Sequence, residues 1–312
     1  MTASPPPPGT PSGPGSEPGA PRTCYRHGDR ETGVSCTRCS RPICPDCMVE
    51  ASVGFQCPEC VAEGNRKVRS ARTTFGGKVV EKPYVTWTIL VMMVVGFLVQ
   101  MGTSDPVGQA GQSPLVVAFG MHGGAAFFND EWYRLITAAF LHGGIMHLLF
   151  NGYAMYLLGQ QLERWLGHGR FLALWVVGAL SGSVMSLLFA PDQLSVGASG
   201  AIFALFGAVF VIGRRLRLDM RMILVLLALN LGITFLVPGI SWTAHIGGLV
   251  AGLAVGAVFA YLPTGAGRST GTGTGQAKRR TLVHALMVAL YVALLVVLVF
   301  LAPTVWFTLV PA

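Results

Sequence analysis

The sequence predicts an all-α polytopic membrane protein with a small cysteine-rich module on its N-terminal side. Three observations predict it. Only 12% of the 312 residues are charged while 52% are hydrophobic, against roughly 25% charged in an average soluble domain. Runs of about 18 or more apolar residues without charge, the signature of membrane-spanning helices, recur from residue 84 onward. All seven cysteines fall between residues 23 and 62. Forty glycines suit helices that must pack closely in lipid. A net charge of +8 would suggest nucleic acid in a soluble protein, but in a membrane protein topology is the first explanation.

In chain order, residues 1–22 are rich in Pro, Gly and Ser and read as a disordered tail. They lack the basic start and apolar stretch of a signal peptide. Residues 23–62 form the cysteine module and 63–83 a basic cytoplasmic linker. Residues 84–262 contain six apolar spans, at about 84–101, 142–160, 171–190, 199–213, 220–237 and 242–262. A Gly/Thr-rich flexible linker, 263–281, leads to a seventh span at 282–302. With the N-terminus inside, the inner segments hold sixteen Lys and Arg and the outer connections only Arg134. That is a positive-inside distribution. The expected location is the cell membrane, multi-pass, with a cytoplasmic N-terminus and an outer C-terminus. The bilayer accounts for the charge, and no nucleic acid is expected.

The module contains Cys24-x2-His27, Cys36-x2-Cys39, Cys44-x2-Cys47 and Cys57-x2-Cys60. Eight soft or borderline ligands in four such pairs suffice for two tetrahedral Zn2+ ions. A forty-residue segment with few large apolar residues needs that metal to fold. A disulfide scaffold is disfavoured by the odd cysteine count and by a reducing cytoplasm. The order of pairs resembles a B-box-type zinc finger. That resemblance implies cross-braced sites, with Cys24, His27, Cys44 and Cys47 on one ion and Cys36, Cys39, Cys57 and Cys60 on the other. Closed four-ligand sites are structural, so the module is expected to take no part in catalysis; a cytoplasmic protein is a candidate partner, which the spacing supports only weakly.

Polar residues at membrane depth mark function. The seven intervals contain no Asp or Glu, which argues against carboxylate-dyad proteolysis and most proton-coupled transport. No H-E-x-x-H pair occurs, so an intramembrane zinc protease is not expected. What remains is Ser, His and Asn. His147 and Asn151, four residues apart, share a helical face. Ser199 heads the fourth span and His245 lies about one turn into the sixth. The second, fourth and sixth spans all begin at the outer face, which brings these residues to comparable depth. Ser199 needs a base, and a neutral His245 is the candidate. A developing oxyanion needs donors, available from His147, Asn151 and the Ser199 backbone N–H at a helix start. No buried carboxylate is expected to orient His245, so the pair is a dyad. The fourth span is only fifteen residues, about 22 Å, so the loop 190–198 must dip inward beside protein or a water-filled cavity.

With these residues in view, the chain from about 84 to 262 resembles the rhomboid intramembrane serine proteases. The matching features are His142-x4-His147-x3-Asn151, Gly197-Ala198-Ser199-Gly200, and Ala244-His245-x2-Gly248-x3-Gly252. The seventh span resembles that of the six-plus-one class. The resemblance implies a rhomboid-like six-helix bundle, with Ser199 as nucleophile, His245 as general base, and His147 and Asn151 as oxyanion hole. It implies that Phe203 packs on the catalytic histidine and that Arg134 anchors the first outer loop, although Tyr133 stands where Trp is usual and Trp132 is one place early. The substrates implied are transmembrane segments of other proteins, cut near the outer face without a catalytic cofactor. His142 is expected to donate to a loop carbonyl. Gly248, Gly252 and Gly256 are expected to let the sixth helix approach the fourth. The alternative is a non-catalytic rhomboid-like binder or chaperone of membrane segments.

Overall fold

A chain buried in lipid can satisfy its backbone polar groups only within helices or closed barrels, and these apolar runs lack the alternation of barrel strands. The computed structural model describes residues 22–67, 72–104, 113–262 and 273–309. The chain divides into two compact units, one ending at Ser70 and one starting at Ala71. The tail expected over residues 1–22 lies outside the described residues except Arg22, as does the first part of the linker expected at 263–281.

The first unit is small. Strand β1 (Val49–Glu50) pairs antiparallel with β2 (Phe55–Gln56), and helix α1 (Pro58–Lys67) follows. Its buried apolar cluster consists of six cysteines and Ile43. So little buried hydrocarbon cannot offset the conformational entropy of ordering the segment.

The second unit is a bundle of helices. Helix α2 (Tyr84–Thr103) is followed by the short helices α3 (Pro114–Phe119), α4 (Gly123–Phe128) and α5 (Arg134–Thr137). Helix α6 (Ile145–Ala154) passes through a π-helical turn, Met155–Gly159, into α7 (Gln160–Leu166). Then come α8 (His168–Phe189), α9 (Ser199–Arg215), α10 (Arg221–Leu236), α11 (Trp242–Tyr261) and α12 (Gly273–Leu309). Each of the seven expected intervals is helical. Among the described residues, α2, α8, α11 and α12 are long and apolar enough to cross a membrane alone. The segment Arg134–Phe140 meets Ile145–Leu166 at 96°, and α9 and α10 are shorter. The architecture is that of a polytopic, rhomboid-like helical membrane bundle with a seventh C-terminal helix.

Two boundaries differ from the sequence reading. The second span runs on to Leu166, because the π turn keeps the helix going past Gly159. It therefore includes a carboxylate, Glu163, which is fully buried. Glu163 accepts hydrogen bonds from Val85 N (3.0 Å), Thr86 N (2.9 Å) and Thr86 Oγ1 (2.6 Å), and pairs with His168 Nδ1 at 2.5 Å. It thus caps the N-terminus of α2, where unpaired N–H groups and the helix dipole favour an anion. The other difference is α12, which begins at Gly273 inside the linker expected to extend to 281.

Helix α9 is the axis of the bundle, buried at nearly every position from Gly200 to Val209 between α8 and α11. The approach to α11 is backbone to backbone. A β-carbon at Gly248 would stand 1.8 Å from the Gly200 carbonyl oxygen, and one at Gly252 2.0 Å from that of Ala204. Only glycine fits there. Helix α10 is the opposite case, since Thr234 is its one buried residue.

Candidate active site

Ser199 is the first residue of α9 and is half-buried. The loop before it dips between other segments. Met121 and Ser195 exchange backbone hydrogen bonds at 2.9 and 2.8 Å, and Gly197 N donates to Ala138 O at 2.9 Å. Irregular backbone at this depth is thus satisfied by protein. Gly197 has φ +123, a left-handed value that favours glycine. A β-carbon there would also collide with His147 Nε2 at 2.6 Å and stand 3.4 Å from Asn151 Nδ2. His147 and Asn151 therefore flank the turn that leads into Ser199.

Helix α11 starts at Trp242, capped by the Ser241 side chain on Ala244 N. His245 lies in its first turn, 7% exposed. The Phe203 ring lies flat on it, with centroids 4.2 Å apart and planes 15° from parallel. Phe203 and Ser199 are four residues apart on α9 and share a face, so Ser199 stands one turn along the helix from the ring that covers His245. Among the described residues no hydrogen bond joins Ser199 Oγ to His245; such contacts often tighten only with substrate bound.

The two histidines are in complementary tautomers. His245 Nδ1 is 2.6 Å from Thr234 Oγ1. The Thr234 hydroxyl also lies 2.7 Å from the Asn230 carbonyl oxygen; with its proton directed there, the hydroxyl oxygen accepts from His245 Nδ1–H. That leaves His245 Nε2 as a bare lone pair. His147 is the reverse, because Gly143 N–H donates to its Nδ1 at 3.3 Å, leaving Nε2–H as a donor beside Gly197. Asn151 Nδ2 is buried and has no hydrogen-bond partner among the described residues, which is costly unless a ligand supplies the acceptor.

The supporting residues differ in part from the sequence reading. His142 is fully buried; the Phe140 carbonyl lies close enough to act on its ring, though neither ring nitrogen meets strict hydrogen-bond geometry among the described residues. Its backbone is held instead by Gln100, whose amide accepts from His142 N at 2.9 Å and donates to His142 O at 3.0 Å. Arg134 is 5% exposed and donates through Nη1 to Val117 O (2.6 Å) and Gly120 O (2.8 Å), with Glu131 on its other edge at 2.5 Å. It ties the α3 turn to the start of α5. Trp132 packs against Phe127 at 5.7 Å, whereas Tyr133 is exposed and donates to Ala118 O at 3.2 Å. Thr234 and Gln100 carry no signal in the sequence, being ordinary polar residues in apolar helices.

In the first unit, Cys24, His27, Cys44 and Cys47 form one cluster and Cys36, Cys39, Cys57 and Cys60 another, each with its ligand atoms within 4.8 Å of one another. None of the seven thiols is in a disulfide. His27 Nδ1 to Cys44 Sγ is 3.2 Å and Cys39 Sγ to Cys57 Sγ is 3.7 Å. The edge of a tetrahedron with Zn–S bonds of about 2.3 Å is roughly 3.7 Å, so the donors fit a zinc ion. The Arg41 side-chain hydrogen bond, Nε to Cys39 Sγ at 3.3 Å, holds the Cys39 thiol below its ordinary range. Burial raises the Cys36 thiol, but backbone donors from Cys57, Arg38 and Cys39 outweigh it and bring it to about 6. Its neighbour Cys60 is pushed up to about 12 by its hydrogen bond to Cys57 and by burial. Four thiols this close ionise together only around a cation.

Residues 129–262 match the family model described as the Rhomboid domain. The chain is 34% identical over 190 residues to rhomboid protease GluP of Bacillus subtilis (strain 168), covering 59% of this chain and 36% of that protein. It is 41% identical over 130 residues to putative rhomboid protease YdcA of the same organism, covering 40% and 65%. It is 35% identical over 142 residues to RHOMBOID-like protein 4 of Arabidopsis thaliana, covering 43% and 36%. The chain thus spans less than two thirds of the length of each of these relatives. These matches support the rhomboid family for the membrane-spanning part of the chain.

Proposed function

We propose that the chain is an intramembrane serine endopeptidase that cuts transmembrane segments of other membrane proteins. The observation that carries this reading is the pair of complementary imidazoles around the Ser199 turn. His245, with a bare Nε2, suits a general base. His147 with Nε2–H, and Asn151 with an unpartnered amide, suit donors to an oxyanion. Ser199 Oγ attacks the scissile carbonyl carbon while its proton passes to His245 Nε2. The carbonyl oxygen, now negative, is met by His147, Asn151 and the Ser199 N–H. The tetrahedral adduct collapses, the C–N bond breaks, and the leaving amine takes the proton from the His245 imidazolium. Water then enters by the same route in reverse and frees Ser199 from the acyl group.

The family supported by the comparisons, and the GluP and YdcA names in particular, agree with this reading. The positive-inside count makes the end where α9 and α11 begin the outer face. Cleavage is therefore assigned near that face, where a substrate helix can unwind. The cysteine clusters hold two structural Zn2+ ions, which supply folding energy and leave the chemistry to Ser199. A fluorophosphonate probe tests the nucleophile: wild type is labelled at Ser199 and Ser199→Ala is not. Equal labelling of the two would overturn the mechanism.

A further inference from the structure

We infer that the end of the bundle remote from Ser199 holds a specific site for one anionic glycerophospholipid. Phe259, which lines it, is fourteen residues along α11 from His245, roughly 21 Å at 1.5 Å per residue. A cavity of about 700 Å³ opens there between the Gly76 turn, the α7–α8 junction and α12, with Arg72, Lys78 and Arg170 on its wall. The Gly76 turn is a focus of positive charge. Arg72 Nη1 donates to Gly76 O at 3.1 Å. A β-carbon at Gly76 would stand 3.6 Å from Arg280 Nε and 3.7 Å from Arg170 Nη2. Arg280 donates through Nη1 to Thr74 O at 3.1 Å, while its Nε is buried with no hydrogen-bond partner among the described residues.

No carboxylate balances this charge. Among the described residues, none of these four cations has an ion-pair partner. Glu163, the buried acid at this end, is committed to Val85, Thr86 and His168. His284 accepts from Arg170 Nε at 3.0 Å through Nδ1 and donates through Nε2 to the Leu262 carbonyl oxygen, so it is neutral and offers no counter-charge. Arg170 and Arg280 are half-buried and Arg72 and Lys78 exposed, so their mutual repulsion is partly screened by water yet is met by no counter-charge. Guanidinium groups present paired donors that match phosphate oxygens. The partner that this geometry lacks is a phosphate.

The rest of the cavity distinguishes a lipid phosphate from a free one. Its far wall is apolar, formed by Ala173, Phe259, Val288 and Val292. A second cavity of about 490 Å³, lined by Val258, Tyr291 and Leu294 and sharing Val288, continues it along the seam of α11 and α12. This seam lies between two membrane-crossing helices, so an acyl chain fits it, whereas a free phosphate makes no use of it. Basic pockets between transmembrane helices on the cytoplasmic side suit anionic headgroups, and the positive-inside count makes this the cytoplasmic end. The site stands whether or not Ser199 is a nucleophile.

The test uses the full chain in a neutral detergent, read by native mass spectrometry and by thermal unfolding. Dioleoylphosphatidylglycerol, dioleoylphosphatidylcholine and inorganic phosphate are each added alone. The expected result is retention of one phosphatidylglycerol per chain with a rise in Tm, and neither effect from phosphatidylcholine or phosphate. Arg170→Gln with Arg280→Gln should weaken retention by about tenfold or more. Val292→Trp, which keeps every charge and fills the apolar wall, should also lower it, and covers the case in which the arginine variant does not fold. Equal retention of both lipids, protection by phosphate alone, or retention unchanged in the variants that fold would overturn the proposal. Fluorophosphonate labelling of Ser199 in the same samples reports on the protease reading separately.

Discussion

Ser199 and His245 are recognisable in the sequence by their company, but the group that aims His245 is not. Thr234 sits eleven residues earlier on another helix, and only the fold brings its hydroxyl to 2.6 Å from Nδ1. The sequence reading expects no buried carboxylate to orient His245; Glu163, the buried acid among the described residues, lies at the far end of the α6–α7 helix. What replaces the carboxylate is a hydroxyl whose own proton is held by Asn230. Thr234→Val keeps the shape and removes that acceptor, so His245 loses its tautomer preference. Turnover of a fluorogenic transmembrane substrate should fall about tenfold to a hundredfold with KM nearly unchanged, while Thr234→Ser restores it. A Val variant as active as wild type would remove Thr234 from the mechanism.

Among the elements, α9 and α11 matter most, because their contact sets the distance between Ser199 and His245. The glycines of α11 are visible in the sequence; which backbone each one meets is not. Gly252 faces the Ala204 carbonyl at a distance no β-carbon tolerates, so Gly252→Val should force the helices apart. The cost is about 3 kcal/mol or more, read as a lower Tm together with lost Ser199 labelling. Gly232 on α10 has nothing within 4 Å of its β-carbon position. Gly232→Ala should therefore be neutral or raise stability by up to about 1 kcal/mol. The same contrast explains a boundary that periodicity missed. Apolar pattern and length marked the second span, but Glu163 reads as an end signal until Val85 and Thr86 are seen to satisfy it.

At the scale of the whole molecule, the chain joins two units with different sources of stability. The membrane unit has its own core around α8, α9 and α11, whereas the cysteine unit buries little besides thiols and Ile43. Removal of the two Zn2+ proposed per chain by a strong chelator should expose residues 22–67 to limited proteolysis and leave Ser199 labelling unchanged. Labelling that falls in step with zinc would show instead that the module regulates the protease. Composition and charge by themselves determined a helical membrane protein with seven apolar intervals and a module of paired cysteines suited to metal, because lipid leaves the backbone few choices and cysteine pairs at fixed spacing have few uses. Ligand grouping rested on resemblance until the cysteine unit brought the alternate pairs together in space. Only the tertiary structure decided which groups each histidine nitrogen meets, and where buried charge is satisfied. Those properties depend on hydrogen bonds between residues far apart in sequence, which no periodicity records.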